Sequence, residues 1–186
     1  MIHVIGIDPG LEGGIVVMDG ESRIVSTHRM PTTPGKRKSL DFFEIRALFE
    51  RVPDSGLVGI ELISPQGNAN GKVGTITAAK GVGTILGICL AMDLPTEEIP
   101  PQSWQRLIPG GLPTAPKGST PAQQAAARAA RKAVIIRHAR RRWPTADLVG
   151  SKSPTAKVSS GIADACWIAE FARLRIVGRP ATKEPA

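Results

Sequence analysis

The sequence predicts an α/β domain built on a mixed sheet, and three observations carry that reading. Short runs rich in β-branched apolar residues stand at positions 2–7, 15–18 and 57–60. Longer stretches compatible with helix stand at 40–52, 73–92, 121–143 and 159–175. The order matters as well, because strands come first and then alternate with helices, the pattern of a sheet with helices packed on it. The chain has 186 residues, enough for one core without staples, and we expect one domain over 1–177 with a disordered tail at 178–186.

The elements follow in order. Residues 2–7 read as a strand buried on both sides, ending in Asp8 and the turn signal Pro9-Gly10. Residues 15–18 lead away as its antiparallel partner, and 23–29 alternate weakly as a third strand. A Pro/Thr/basic loop at 31–38 precedes a helix over 40–52, with Ser39 as its cap and Asp41 and Glu44 in its first turns. A second buried strand, 57–60, ends in Glu61. The polar loop 64–72 leads into a helix over 73–92 that carries many glycines, each costing roughly 1 kcal/mol relative to Ala, so close packing within the domain or against a second subunit is expected to compensate. A strand over 94–99 and a short helical turn bearing Trp104 come next, then a loop at 109–119. Thr120-Pro121-Ala122-Gln123 has the form of a capping box with Pro at the first helical position, and that helix should run to about Trp143, before Pro144. After a loop at 146–157, the last helix covers about 159–175.

Charge points to the partner. Formal net charge is +8, and the span 99–146 holds no acidic residue while carrying Arg106, Lys117, Arg128, Arg131, Lys132, Arg137, Arg140, Arg141 and Arg142. A basic helix without interleaved Glu gains no i,i+4 pairing and repels itself, which favours phosphate binding over a merely solvated face. Contacts of that kind fall steeply with salt and carry little sequence information, so they suit recognition of DNA by shape. We therefore expect DNA contacts from Asn68, Asn70 and Lys72, from Lys80 and Lys117, and from Arg128, Arg131, Lys132, Arg137 and Arg141. Cys89 and Cys166 stand in apolar helical contexts and read as buried small hydrophobes in a reducing compartment. No signal peptide pattern and no run of about 18 apolar residues is present, so a cytoplasmic, soluble protein is expected.

Three acids are placed unusually. Asp8 and Glu61 each close an apolar strand, and such strands lying side by side would put both carboxylates at one sheet edge. Asp164 sits among small and apolar residues on a helix, where a lone carboxylate is costly unless paired or bound to a cation. Three acids converging there would form an oxygen-rich site suited to Mg²⁺ or Mn²⁺, a centre able to hydrolyse a phosphodiester. Lys157, just before the last helix, is placed in sequence to reach the scissile phosphate, whereas Trp104, Trp143 and Trp167 read as core.

Gly6-Ile7-Asp8-Pro9-Gly10, Gly59-Ile60-Glu61 and Ala163-Asp164-Ala165, in this order, resemble the RuvC-like Holliday junction resolvases of the ribonuclease H-like nuclease superfamily. The stretch from Ala79-Lys80-Gly81-Val82-Gly83 to Leu94-Pro95, Pro101-Gln102-Ser103-Trp104-Gln105, and residues 163–171 look like the short, phage-type members. The similarity spans roughly 2–175. It implies a ribonuclease H-like mixed β-sheet flanked by helices, with Asp8, Glu61 and Asp164 as catalytic metal ligands. It also implies a homodimer that cuts branched DNA symmetrically, leaving 5′-phosphate and 3′-hydroxyl ends. Two departures stand out. The family generally carries another acid or a His shortly before the last ligand, where this chain has Ser159, Ser160 and Gly161, so Ser160 or the nearby Asp147 becomes the available helper. Some relatives place an aromatic after the glutamate, and 64–72 has none.

Rival readings follow from the same residues. Loss of the fourth ligand would suit a branched-DNA-binding protein without catalysis. Asp8-Pro9-Gly10 with Gly13-Gly14 could cradle phosphate in an actin-like ATPase or sugar kinase, but the second phosphate motif and second domain of those folds are missing. A ribonuclease H acting on RNA–DNA hybrids would share the acid set.

Overall fold

A computed structural model of the chain describes residues 2–35, 38–52, 55–62, 71–150 and 155–177, with the side chains of 55 and 71–75 excepted. The expected tail at 178–186 and most of the polar loop, Asn68 and Asn70 included, lie outside those residues.

Five strands make one sheet in the order β3-β2-β1-β4-β5. Strand β1 (His3–Asp8) pairs antiparallel with β2 (Gly14–Asp19), which pairs antiparallel with β3 (Ile24–Arg29). On its other side β1 runs parallel to β4 (Ser55–Glu61), and β4 parallel to β5 (Thr96–Ile99), so the sheet is mixed as the sequence predicts. The register pairs Ile7 with Ile60, which leaves Asp8 and Glu61 side by side at the carboxyl ends of neighbouring strands.

Alternation along the strands divides the core in two. Ile5, Ile7, Ile15, Val17, Val58 and Ile60 face α1 (Phe42–Glu50) and α2 (Gly71–Ala91), where they meet Ile45, Phe49, Val82, Ile85 and Cys89. Val4, Val16 and Met18 face α5 (Ser160–Val177), with α3 (Pro101–Gln105) and α4 (Pro121–Arg142) completing that layer through Trp104, Ile135, Ala139 and Trp143. Both cysteines are buried, and Trp104, Trp143 and Trp167 all lie in the core, as expected.

Helix α5 comes down to backbone contact with the sheet because both sides are small. A Cβ on Gly6 would stand 2.3 Å from the Ala165 carbonyl oxygen, and one on Gly14 would stand 2.8 Å from Ile162 Cα. Gly13 and Gly161 form an isolated parallel bridge, so the first turn of α5 is locked against the β1–β2 turn.

Three boundaries differ from the sequence reading. Helix α1 is capped by Asp41, whose carboxylate accepts from Glu44 N, because Ser39 is drawn into pairing with Thr33 (Oγ–Oγ1, 2.8 Å). Helix α2 begins at Gly71, so Lys72 belongs to the helix rather than to the loop. Strand β5 starts two residues later, because Leu94 still closes the end of α2 through a bond from its N–H to the Cys89 carbonyl. The capping box of α4 is present, with Thr120 and Gln123 each bonded to the other's backbone.

Candidate active site

The period of two along β1 and β4 aims the site. Val4, Gly6 and Asp8 share the face covered by α5, as do Leu57, Gly59 and Glu61. On α5, Gly161, Ala165 and Ala169 press on the sheet, and Asp164 stands at the margin of that stripe, level with the carboxyl ends of β1 and β4. Glycine at positions 6 and 59 is what lets the helix sit low enough to bring its carboxylate there.

The three acids feel one another. Burial pushes Asp8 above the ordinary carboxylate range, against the opposing pull of a hydrogen bond from the Gly10 backbone (3.2 Å) and the charge of Lys132. Burial and then the charge of Asp8 lift Glu61 to about 7, while a hydrogen bond from the Trp104 indole N–H to Oε1 (3.2 Å) works the other way. Asp164 is raised well above its usual range, by burial and then by Asp8 and Glu61, with Lys132 and Arg131 offsetting part of the effect. Its Oδ1 is buried and has no hydrogen-bond partner among the described residues. An orphaned carboxylate oxygen beside two further carboxylates is a site short of positive charge.

Oxygen-only donors of this kind fit a hard divalent cation such as Mg²⁺ or Mn²⁺. The expected closed cage is nevertheless not preassembled. Among the described residues, no group of three or more His, Cys, Asp or Glu side chains is gathered into a ready metal site. Like charges spread when no cation holds them together.

The remaining expectations separate by place. Lys132 and Arg131 are the cations that reach the acids. Lys132 precedes Ile135 and Ala139 at i, i+3, i+7, so it extends the packed face of α4 past the core and over the site. Sequence reasoning counted Lys132 as one of nine cations, and only this helical phase could have singled it out. Lys157 is exposed, and its backbone carbonyl accepts from Arg29 Nη2 at 2.5 Å. Ser160 opens α5, while Ser159 is its cap, with Oγ accepting from Ile162 N. Asp147 is exposed and committed to its own turn, accepting from the backbones of Val149 (2.8 Å) and Gly150 (3.0 Å). Position 161 is closed to any side chain, since a Cβ there would lie 2.4 Å from both the Glu12 carbonyl oxygen and Gly13 Cα. An acid at position 161 is therefore excluded by how tightly this backbone packs. Lys80, Lys117 and Arg128 are exposed, and Arg137 and Arg141 lie on the outer side of α4, away from the carboxylates. Trp104 contributes more than the core role expected of it, because its indole N–H holds Glu61.

No protein-family model and no curated protein matches the chain. Among solved structures, T. thermophilus RuvC in complex with a Holliday junction substrate matches with a TM-score of 0.60 at 15% sequence identity, over 96% of this chain and 97% of that one. A second structure of Thermus thermophilus RuvC matches with a TM-score of 0.49 at 17% identity, over 95% and 96% of the two chains. The first likeness establishes the fold as the ribonuclease H-like mixed sheet with flanking helices that the sequence led us to expect.

Proposed function

We propose that this chain is a structure-specific endonuclease that resolves Holliday junctions and related branched DNA by metal-dependent phosphodiester hydrolysis. The observation that carries the proposal is the meeting of Asp8, Glu61 and Asp164 at one end of the sheet, each raised by burial and Asp164 further by the other two acids, with an unpartnered oxygen on Asp164. The solved structure with the same fold and a Holliday junction bound supports the choice of substrate.

Asp8, Glu61 and Asp164 are the residues that would hold Mg²⁺ or Mn²⁺. Such an ion, when bound, supplies a Lewis acid that activates water and offsets charge on the phosphodiester. Asp8 is anchored by the Gly10 backbone and Glu61 by Trp104, which limits the reorganisation needed at the site. Lys132 and Arg131 draw the scissile phosphate toward the acids and balance the charge that builds on it. Water attack in line leaves a 5′-phosphate and a 3′-hydroxyl.

Two active sites are needed for symmetric cutting, which implies a homodimer. The outer face of α2 supports one. Gly81 faces Leu40 within the subunit, while Gly83 and Gly87 have open space where a Cβ would be. Ile76 and Leu90, on the same face, are 68% and 79% exposed.

A second reading, a branched-DNA-binding protein without catalysis, is favoured by closed position 161 and the absence of a ready-made metal site among the described residues. One experiment separates the two. A synthetic four-way junction is incubated with protein and Mg²⁺, then Mn²⁺. We expect paired cuts, reduced roughly 10³-fold by Asp8→Asn. Tight binding with intact strands in both ions would establish the second reading, and unchanged cutting by the variant would remove Asp8 from the mechanism. Cutting of RNA–DNA hybrids in preference to the junction would redirect the substrate assignment.

A further inference from the structure

Helix α4 carries two basic faces, and only one of them looks at the carboxylates. The inner face runs through Lys132, Ile135 and Ala139. The opposite face runs through Val134, Arg137, His138 and Arg141, at i, i+3, i+4, i+7, and forms one wall of an open groove of about 690 Å³. The other wall is the turn after α3, where Gly110 and Gly111 take positive φ (+78° and +72°) with nothing within 4 Å of a built Cβ. Arg137 and Arg141 make no hydrogen bond or ion pair among the described residues, and no acid occurs between Ile99 and Ala146 to supply one. Neither is among the charges acting on Asp8, Glu61 or Asp164. The groove is therefore a separate cationic site.

We infer that this outer groove grips the sugar–phosphate backbone of a DNA arm other than the one being cut, an inference that rests on the junction reading above. Arg137 and Arg141 leave the helix one turn apart, about 6 Å along the axis, and their planar donors, unpaired among the described residues, suit phosphate oxygens. In the opposing wall, Gly110 and Gly111 present bare backbone between Pro109 and Leu112, so a polymer can come close to the main chain there. The groove is open to solvent rather than enclosed, as a passing strand requires. With the acids on one side of α4 and this groove on the other, the helix would sit between two arms, and the protein would read the branch by holding both.

The test compares wild-type protein with the double variant R137Q/R141Q on a four-way junction and on a linear duplex with the sequence of one arm. Binding is measured in EDTA, so that no strand is cut, across a range of salt concentrations. Both residues project from an exposed helix face, and unchanged circular dichroism confirms folding. We expect junction affinity to fall on the order of tenfold, with its salt slope reduced by roughly 2, while duplex affinity, which needs only one of the two basic faces, falls less. Equal loss on both substrates, or no loss on the junction, overturns the groove assignment and leaves the nuclease reading intact. Wild-type protein that shows no preference for the junction sinks the reading itself.

Discussion

Two carboxylates on α5, six residues apart, sit in opposite circumstances. Glu170 is buried, and burial works to raise its pKa, yet it ends up below the usual range. Arg173 donates to both of its oxygens (2.7 and 2.9 Å), Ser22 Oγ donates at 2.8 Å, and Arg142 adds a second cationic neighbour at 3.5 Å. Asp164 meets the same desolvation with an orphaned oxygen and two further acids for company, and it rises well above its range. One helix thus holds a carboxylate the fold needs and a carboxylate the fold merely tolerates. A group surrounded by its own donors is finished business structurally. A group left short of positive charge marks a candidate functional site, and on the reading proposed above it would be completed by a cation and a phosphate.

The contrast breaks most visibly by neutralising each member in turn. Glu170→Gln should lower stability by about 3 kcal/mol, because Arg173 and Arg142 lose their charge partner at a largely buried position, and Tm should drop by about 6–12 °C. Asp164→Asn at pH 8 should move Tm upward, since it deletes a charge that the native state shelters poorly. Thermal unfolding followed by circular dichroism decides the matter, and shifts of the same sign in both variants would erase the distinction.

A pH series sharpens it. Glu61 has a folded pKa raised to about 7, so between the ordinary carboxylate range and 7 the native state holds a proton that the unfolded chain has lost. Stability contributed by this site therefore falls as pH climbs through that window and is flat above it. Asp8 and Asp164 are shifted in the same direction. Glu170 and Asp19 are shifted downward, so their contribution is complete above the carboxylate range and is lost on acidification below it. At pH 8, Glu61→Gln should gain roughly 1–3 kcal/mol. Mn²⁺ should raise the Tm of the wild type more at pH 8 than at pH 5, where protonated acids bind it poorly. A Mn²⁺ effect independent of pH would show that the ion binds elsewhere.

The legibility of this molecule in its sequence divides along the same line. Asp8 and Glu61 could be read because an acid ending a β-branched run is locally anomalous, and Asp164 because an acid amid Gly, Ile, Ala and Cys is equally so. That the two strands lie side by side was a supposition of the sequence reading, and the structure pairs them in parallel. The partners of these acids were not readable. Trp104 lies 43 residues from Glu61 and reaches it only because β5 pairs with β4 and turns into α3. Ser22 and Glu170, 148 residues apart, meet through the packing of α5 on the β2–β3 turn. Ser39 lost the cap of α1 to Asp41 because Ser39 pairs with Thr33, again a contact outside the helix. Residues at odds with their neighbours can be found in one dimension, whereas what satisfies them is set by the fold.

The smallest expected effect falls on Trp104, which belongs to both halves of the comparison. Its ring is buried in the core, while its N–H serves the carboxylate cluster. Trp104→Phe keeps an aromatic in the core and removes the donor, at a cost of about 1 kcal/mol. The bond now opposes the upward shift of Glu61, so its loss should push that carboxyl higher still. The donor occupies Oε1 and leaves Oε2 available, so on the proposed metal reading the indole would orient Glu61 for a cation more than compete with it. Titration of Mn²⁺ followed by electron paramagnetic resonance should then show affinity weakened by roughly tenfold. Tighter binding in the variant would mean that Trp104 holds Glu61 away from the ion, and the indole would have to be reassigned from positioning the site to restraining it.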